Sequence, residues 1–177
     1  MTSDIDLPRL LRSLIEKLAL DRAAGVRRLG EIEAVVGSAA PQLRSAAAPQ
    51  GPSIEGVALV ALALDRYYSS LESSFEAILR VFDGDVPSGS DWHRALLARV
   101  AQPTPTRPAV LRAEGAACLA ELLRFRHFLR HGYAVELDWA RLEPLATAHV
   151  GVHARVVADL AAFGTHVERC LADAELG

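Results

Sequence analysis

Arg124, Arg126, His127, Arg130 and His131 stand together in the stretch Arg124-Phe125-Arg126-His127-Phe128-Leu129-Arg130-His131-Gly132-Tyr133. No other part of the chain gathers so many groups able to bind an anion or move a proton. Laid on a helix, the five basic residues fall within an arc of about 160°, with Phe125, Phe128 and Leu129 on the other side. The pattern predicts a helix that packs through one face and presents a basic one. Like charges at this spacing repel by a few tenths of a kcal/mol per pair, roughly, so an anion, a carboxylate or a function must offset them. The plainer reading is a cationic surface face closed by Gly132, because Arg and His are favoured near a helix C-terminus by the macrodipole.

The chemistry these types support is phosphoryl transfer on RNA. An arginine holds and neutralises a phosphate by two charge-assisted bonds, and a histidine moves protons near neutral pH. The ribose 2′-OH is already close to the scissile phosphorus and serves as nucleophile, so neither metal nor cofactor is required. Arg126 and His131 are the pair assigned to catalysis, with His127, Arg124 and Arg130 as supporting contacts to substrate. Five residues apart, Arg126 and His131 are separated by about 140° around an ideal helix. A break at the helix end or a second copy of the chain must therefore complete the site, which predicts a homodimer with a composite cleft. A metal site is the rival. His127 and His131 are i and i+4, as are His149 and His153, and two such pairs on neighbouring helices can share an ion. Against it, neither pair carries Glu-x-x-His, and three arginines beside the first would repel a divalent cation. His149 and His153 are read as polar surface histidines.

The elements that must position this stretch follow from composition and periodicity. With 177 residues, 51% of them apolar, the chain is long enough for one well-buried domain spanning residues 1–177. Ala, Leu and Arg dominate, Lys17 is the only lysine and β-branched residues are sparse, which predicts an all-α fold. A net charge of −3 excludes a globally basic nucleic-acid binder and leaves only a local patch. Cys118 and Cys170 lack ligand-like spacing and read as buried, reduced thiols of a cytoplasmic protein. Asp4 and Asp6 precede the first apolar residues, and the longest apolar run, Val57 to Leu64, is far short of a bilayer span, so no membrane partner is expected.

Three-and-four spacing predicts a first helix from about Leu7 to Val36, ended by Gly37, and then a Pro/Ala/Ser-rich linker over 38–53. The next helix has the cleanest pattern: Ile54, Val57, Ala61, Leu64, Tyr68, Leu71, Phe75, Ile78 and Phe82 form one apolar seam that needs partner helices or a second copy. A short helix is predicted from about Trp92 to Ala101, capped by Asp91 or Ser90, followed by a stiff, extended connection through Pro103, Pro105 and Pro108. A helix from about Ala109 to His131 and a last one from Asp138 to about Ala172, with a break near Gly151, complete an antiparallel bundle of four long helices and one short.

Arg126-His127-x-x-x-His131-x-Tyr133 resembles the HEPN ribonuclease motif, in which Arg, a polar residue and a His end a bundle helix. The added Tyr resembles the HepT toxin branch. Ala61-Leu62-Ala63-Leu64-Asp65-Arg66-Tyr67-Tyr68 to Glu72, Asp91-Trp92-His93-Arg94-x-Leu96-Leu97, Arg107-Pro108 and Leu123-Arg124-Phe125-Arg126-His127 are similar to the helices of HepT-like proteins, so the resemblance runs from about Val57 to Leu145. It implies a homodimeric, metal-independent endoribonuclease toxin neutralised by a minimal nucleotidyltransferase antitoxin. By the same resemblance Arg126 and His131 are catalytic, His127 stands where HepT toxins commonly have Asn, and Tyr133 matches the tyrosine that the antitoxin adenylylates. Two other classes are compatible with the same residues: a catalytically idle nucleotide- or protein-binding module, and a helical adaptor using the Ile54 to Phe82 seam.

Overall fold

The structure, a computed structural model, describes residues 6–43, 52–131 and 137–176, with the backbone alone at 38–43 and 131. Five helices account for its regular structure: α1 (Leu7–Leu43), α2 (Ile54–Phe82), α3 (Trp92–Val100), α4 (Ala113–His131) and α5 (Trp139–Leu176). The all-α expectation and the count of four long helices and one short one hold among the described residues. None of these helices is long and apolar enough to cross a membrane.

α2 is the element the others pack on, in contact with α1, α3, α4 and α5. Ser53 starts it, its hydroxyl accepting from the Gly56 N–H at 3.2 Å. Seven of the nine predicted seam residues, from Val57 to Ile78, are buried, and Val60, Ala63, Tyr67, Ser74 and Leu79 widen the stripe into a broad face. The seam's first residue, Ile54, is exposed. A face this wide reflects a helix surrounded by neighbours rather than one packed along a single line. The seam is thus used inside one chain, which removes the adaptor that would present it to a partner.

Several boundaries differ from expectation, among them the start of α4, at Ala113 rather than at about Ala109, and the end of α5, at Leu176 rather than at about Ala172. α1 continues through Gly37 and Pro41 to Leu43, so the first part of the predicted linker is helical. A glycine costs a helix only about 1 kcal/mol relative to alanine and is no stop unless the chain turns left-handed there; among the described residues only Gly84 and Gly89 have positive φ. α5 runs unbroken past Gly151 for the same reason, and it begins where Asp138 accepts from the Ala140 N–H at 2.9 Å. The proline-rich connection after α3 is not extended. It folds back at Thr104-Pro105-Thr106-Arg107, where the Thr104 N–H meets the Arg107 carbonyl at 2.9 Å, because Pro105 presets the φ that the second residue of a turn needs.

That turn is held by Arg107. Its guanidinium forks onto Asp83 at 2.8 and 3.0 Å and donates to the carbonyls of Arg99, Gln102 and Pro108 at 3.1, 3.0 and 3.2 Å. The staple ties the end of α2 to the end of α3 and to the turn leading into α4. α4 then starts on α5: Asp159 accepts from the Arg112 N–H at 2.9 Å and pairs with its side chain. The functional stretch at the far end of α4 is carried on a helix anchored at its beginning.

Candidate active site

The phase of α4 decides how its basic residues are used. Gly115, Leu119, Leu122 and Arg126 are buried at spacings of four, three and four, so Arg126 continues the core stripe. Arg124, His127, Arg130 and also Phe128 are exposed. The expected division into an apolar packing face and a basic open face is therefore corrected. It was drawn from the end of the helix alone, whereas the upstream residues set the register, and they turn Arg126 inward and Phe128 outward. Arg126 is 5% exposed and does not face an open cleft.

What receives Arg126 is a pair of carboxylates on α2. Its Nε donates to Asp65 Oδ1 at 3.1 Å and its Nη1 lies 2.9 Å from Glu72 Oε2 and 3.1 Å from Oε1. Its Cζ sits 5.3 Å from the centre of the Tyr68 ring. Asp65, Tyr68 and Glu72 are spaced three and four apart, so one face of α2 supplies all three. A guanidinium removed from water is tolerable only with such compensation, since an unpaired buried charge costs several kcal/mol, roughly. Burial raises the Tyr68 phenol above its usual range, with the Glu72 carboxylate adding to the effect and Arg126 opposing it.

Two groups connect this buried centre to solvent. Arg130, one turn beyond Arg126, reaches the same Asp65 oxygen at 3.4 Å with its side chain 51% exposed. On the other side α3 delivers His93, whose Nδ1 is in close contact with Glu72 Oε1 and 3.3 Å from Arg126 Nη1. The Trp92 ring lies on the His93 imidazole at 3.7 Å between centroids. The site reads, from end to end, Arg130, Asp65, Arg126, Glu72, His93. Its four charged groups alternate in sign, and both ends of the row are partly open to solvent.

Of the residues singled out in the sequence, Arg126 and Arg130 are brought together, while Arg124 turns away to pair with Glu121 at 3.3 Å. His127 is exposed on the outer side of α4. His131 is the last residue of α4, but its side chain lies outside the described residues, as does Tyr133. Asp65, Glu72 and His93 join the site although the basic stretch of α4 does not point to them. A signal was there: Asp65 and Glu72 are seven apart and each follows a seam residue, Leu64 and Leu71. Carboxylates recurring in phase with an apolar seam border the packed face, where a cation from a neighbouring helix can meet them.

The second histidine pair lies elsewhere. His149 and His153 are buried on α5, not at the surface, and pack edge-on to Tyr67 at 4.2 and 5.4 Å. The Tyr67 hydroxyl and His153 Nδ1 are 2.9 Å apart, and His149 Nδ1 lies 3.9 Å from the Cys118 thiol. The polarity of histidine predicts a surface position, yet α5 turns both inward at the i, i+4 spacing of its packing face. Burial lowers the His149 pKa to about 4, with His153 adding to the shift, and lowers that of His153 against the pull of Glu33. Cys118 marks the level of this cluster on α4, and His127 lies nine residues further along, about 13 Å at the rise of a helix. His127 and the pair on α5 do not converge, and no group of three His, Cys, Asp or Glu among the described residues is placed to hold a metal ion.

In comparison with known proteins, the model of a family described as HepT-like protein matches residues 59–167, over half of the chain and all of the charged cluster around Arg126. No curated protein and no solved structure matches the chain.

Proposed function

The chain belongs to the HepT-like family, and on that premise we propose that it is a metal-independent endoribonuclease toxin of the cytoplasm, acting as a homodimer and neutralised by a nucleotidyltransferase partner. The observation that carries this reading is the setting of Arg126. A guanidinium fixed by two carboxylates stands between a half-exposed arginine and a part-exposed imidazole, at the end of the helix that bears Arg126-x-x-x-x-His131. In this reading Arg126 supplies positive potential from within and aligns Asp65 and Glu72. Arg130 is the guanidinium that reaches the RNA phosphate, and Arg124 and His127 make outer contacts to the strand. His131 transfers a proton, and a second copy of the chain completes the cleft. With the 2′-OH as nucleophile, the products are a 2′,3′-cyclic phosphate and a 5′-hydroxyl.

The test is cleavage of a labelled single-stranded RNA by the purified chain in EDTA. Activity should persist in the chelator and fall on the order of a hundredfold or more in Arg126→Ala and in His131→Ala. Loss of activity on adding EDTA, with recovery on adding zinc, would transfer the chemistry to a metal.

Control of the toxin falls to Tyr133. Transfer of AMP to its hydroxyl would set a phosphodiester beside the arginines of α4, pairing with them and repelling the RNA strand. Incubated with the nucleotidyltransferase encoded beside it and ATP, the wild-type chain should gain the mass of AMP and lose activity, whereas Tyr133→Phe should do neither. Equal modification and silencing of the Phe variant would exclude this residue.

A further inference from the structure

We propose that His93 is a second catalytic imidazole of this site, held by Glu72 through Nδ1 and exchanging the proton of the ribose 2′-OH through Nε2. The inference rests on the ribonuclease reading above and names a residue that reading does not use.

Tautomer and placement carry it. Two groups approach His93 Nδ1: Glu72 Oε1, which can only accept when ionised, and Arg126 Nη1, which can only donate. The carboxylate contact is the closer, so Nδ1 carries a hydrogen and points it at Glu72, and the 3.3 Å approach of Arg126 is proximity rather than a bond. A neutral imidazole protonated at Nδ1 has its lone pair on Nε2. That nitrogen belongs to a side chain 29% exposed, whereas Glu72 is 7% exposed, so the ring spans the boundary between the buried charges and solvent. Trp92 covers one ring face and limits rotation. A carboxylate holding one imidazole nitrogen so that the other can act as base is the arrangement a proton-transfer residue requires. The charged groups that face it are Glu72 from α2 and Arg126 from α4, with Asp65 and Arg130 beyond Arg126.

The reaction balances with the groups named. His93 Nε2 takes the proton from the 2′-OH as O2′ bonds to phosphorus. The bond from phosphorus to the 5′-oxygen breaks, and His131 returns a proton to that leaving oxygen. Arg130 faces the phosphate oxygens throughout.

A plain structural role for His93 is a hydrogen bond to Glu72, and the two roles separate by substitution. Asn at this position retains an N–H donor where Nδ1 stood but has no titrating nitrogen. Labelled mixed-sequence RNA would be incubated in EDTA from pH 5 to 9 with the full chain, His93→Asn and His93→Ala, each also followed by thermal unfolding. His93→Asn should melt close to wild type yet lose on the order of a hundredfold in kcat and the rising acidic limb of the rate profile. Free imidazole should restore part of the activity of His93→Ala. Wild-type rates and an unchanged profile in His93→Asn would overturn the proposal and leave the ribonuclease reading intact. If the wild-type chain cleaves no RNA, both fall together.

Discussion

Arg107 and Arg126 are the two arginines that the fold buries among the described residues, and their surroundings separate a staple from a site. The Arg107 side chain is 0% exposed and meets one carboxylate and three backbone carbonyls. Its donors are consumed by fixed main-chain acceptors, in a turn that depends on them. Arg126 is held by two carboxylates, and these are shared with groups that reach solvent: Asp65 with Arg130, and Glu72 with His93. Carboxylates can change protonation, shift and exchange partners; a carbonyl in a turn cannot do so without moving the chain. Burial of a charge alone does not identify function. What its partners touch next does.

The largest effect expected is on stability. Arg107→Ala should destabilise the fold by about 3–5 kcal/mol, measured by urea unfolding, because Asp83 is left buried with Arg99 as its remaining side-chain partner and three carbonyls lose their donor. Whatever fraction stays folded should cleave RNA at the wild-type kcat. Arg126→Ala also leaves carboxylates behind, Glu72 and Asp65, but adds a kinetic loss, with kcat falling on the order of a hundredfold or more, roughly 2.7 kcal/mol in the barrier. If the kinetic loss instead follows Arg107 and spares Arg126, the comparison is inverted.

A third buried group sharpens the contrast, since His149 is neutral and has no charge partner. Its pKa lies near 4 in the folded chain and near 6.5 when unfolded, the usual value for histidine. The unfolded chain therefore binds this proton first, and the stability contributed by neutral His149, complete above about pH 6.5, is lost as the pH falls toward 4. Across that window the loss amounts to about 3 kcal/mol. His149→Leu should flatten the fall in stability between pH 6.5 and 4. An unchanged slope in that variant would mean that the histidine is solvated rather than buried.

The smallest effect belongs to His127, exposed on the outer side of α4. His127→Ala should lower RNA cleavage by less than about tenfold, against about a hundredfold for general acid–base groups. A loss equal to that of Arg126→Ala would place His127 inside the reaction.

Helix number and type were legible in the chain because the signal is local: apolar residues repeating every three or four positions require nothing from elsewhere. The α2 seam and the N-terminal start of α5 at Asp138 were found this way, as was the concentration of basic groups at the end of α4. Gly37 and Gly151 misled because the cost of one glycine is small beside the propagation of a long helix. The use of each basic group was decided by tertiary structure. Asp65 and Glu72 stand 61 and 54 residues from Arg126 in sequence, and α2 must pack against α4 before either carboxylate can claim the guanidinium. His93 reaches the same point because α3 packs against both α2 and α4. Periodicity says which residues share a face of one helix, whereas the identity of what that face meets depends on the crossing of two. Whether an arginine is surface, staple or site is set by that second quantity.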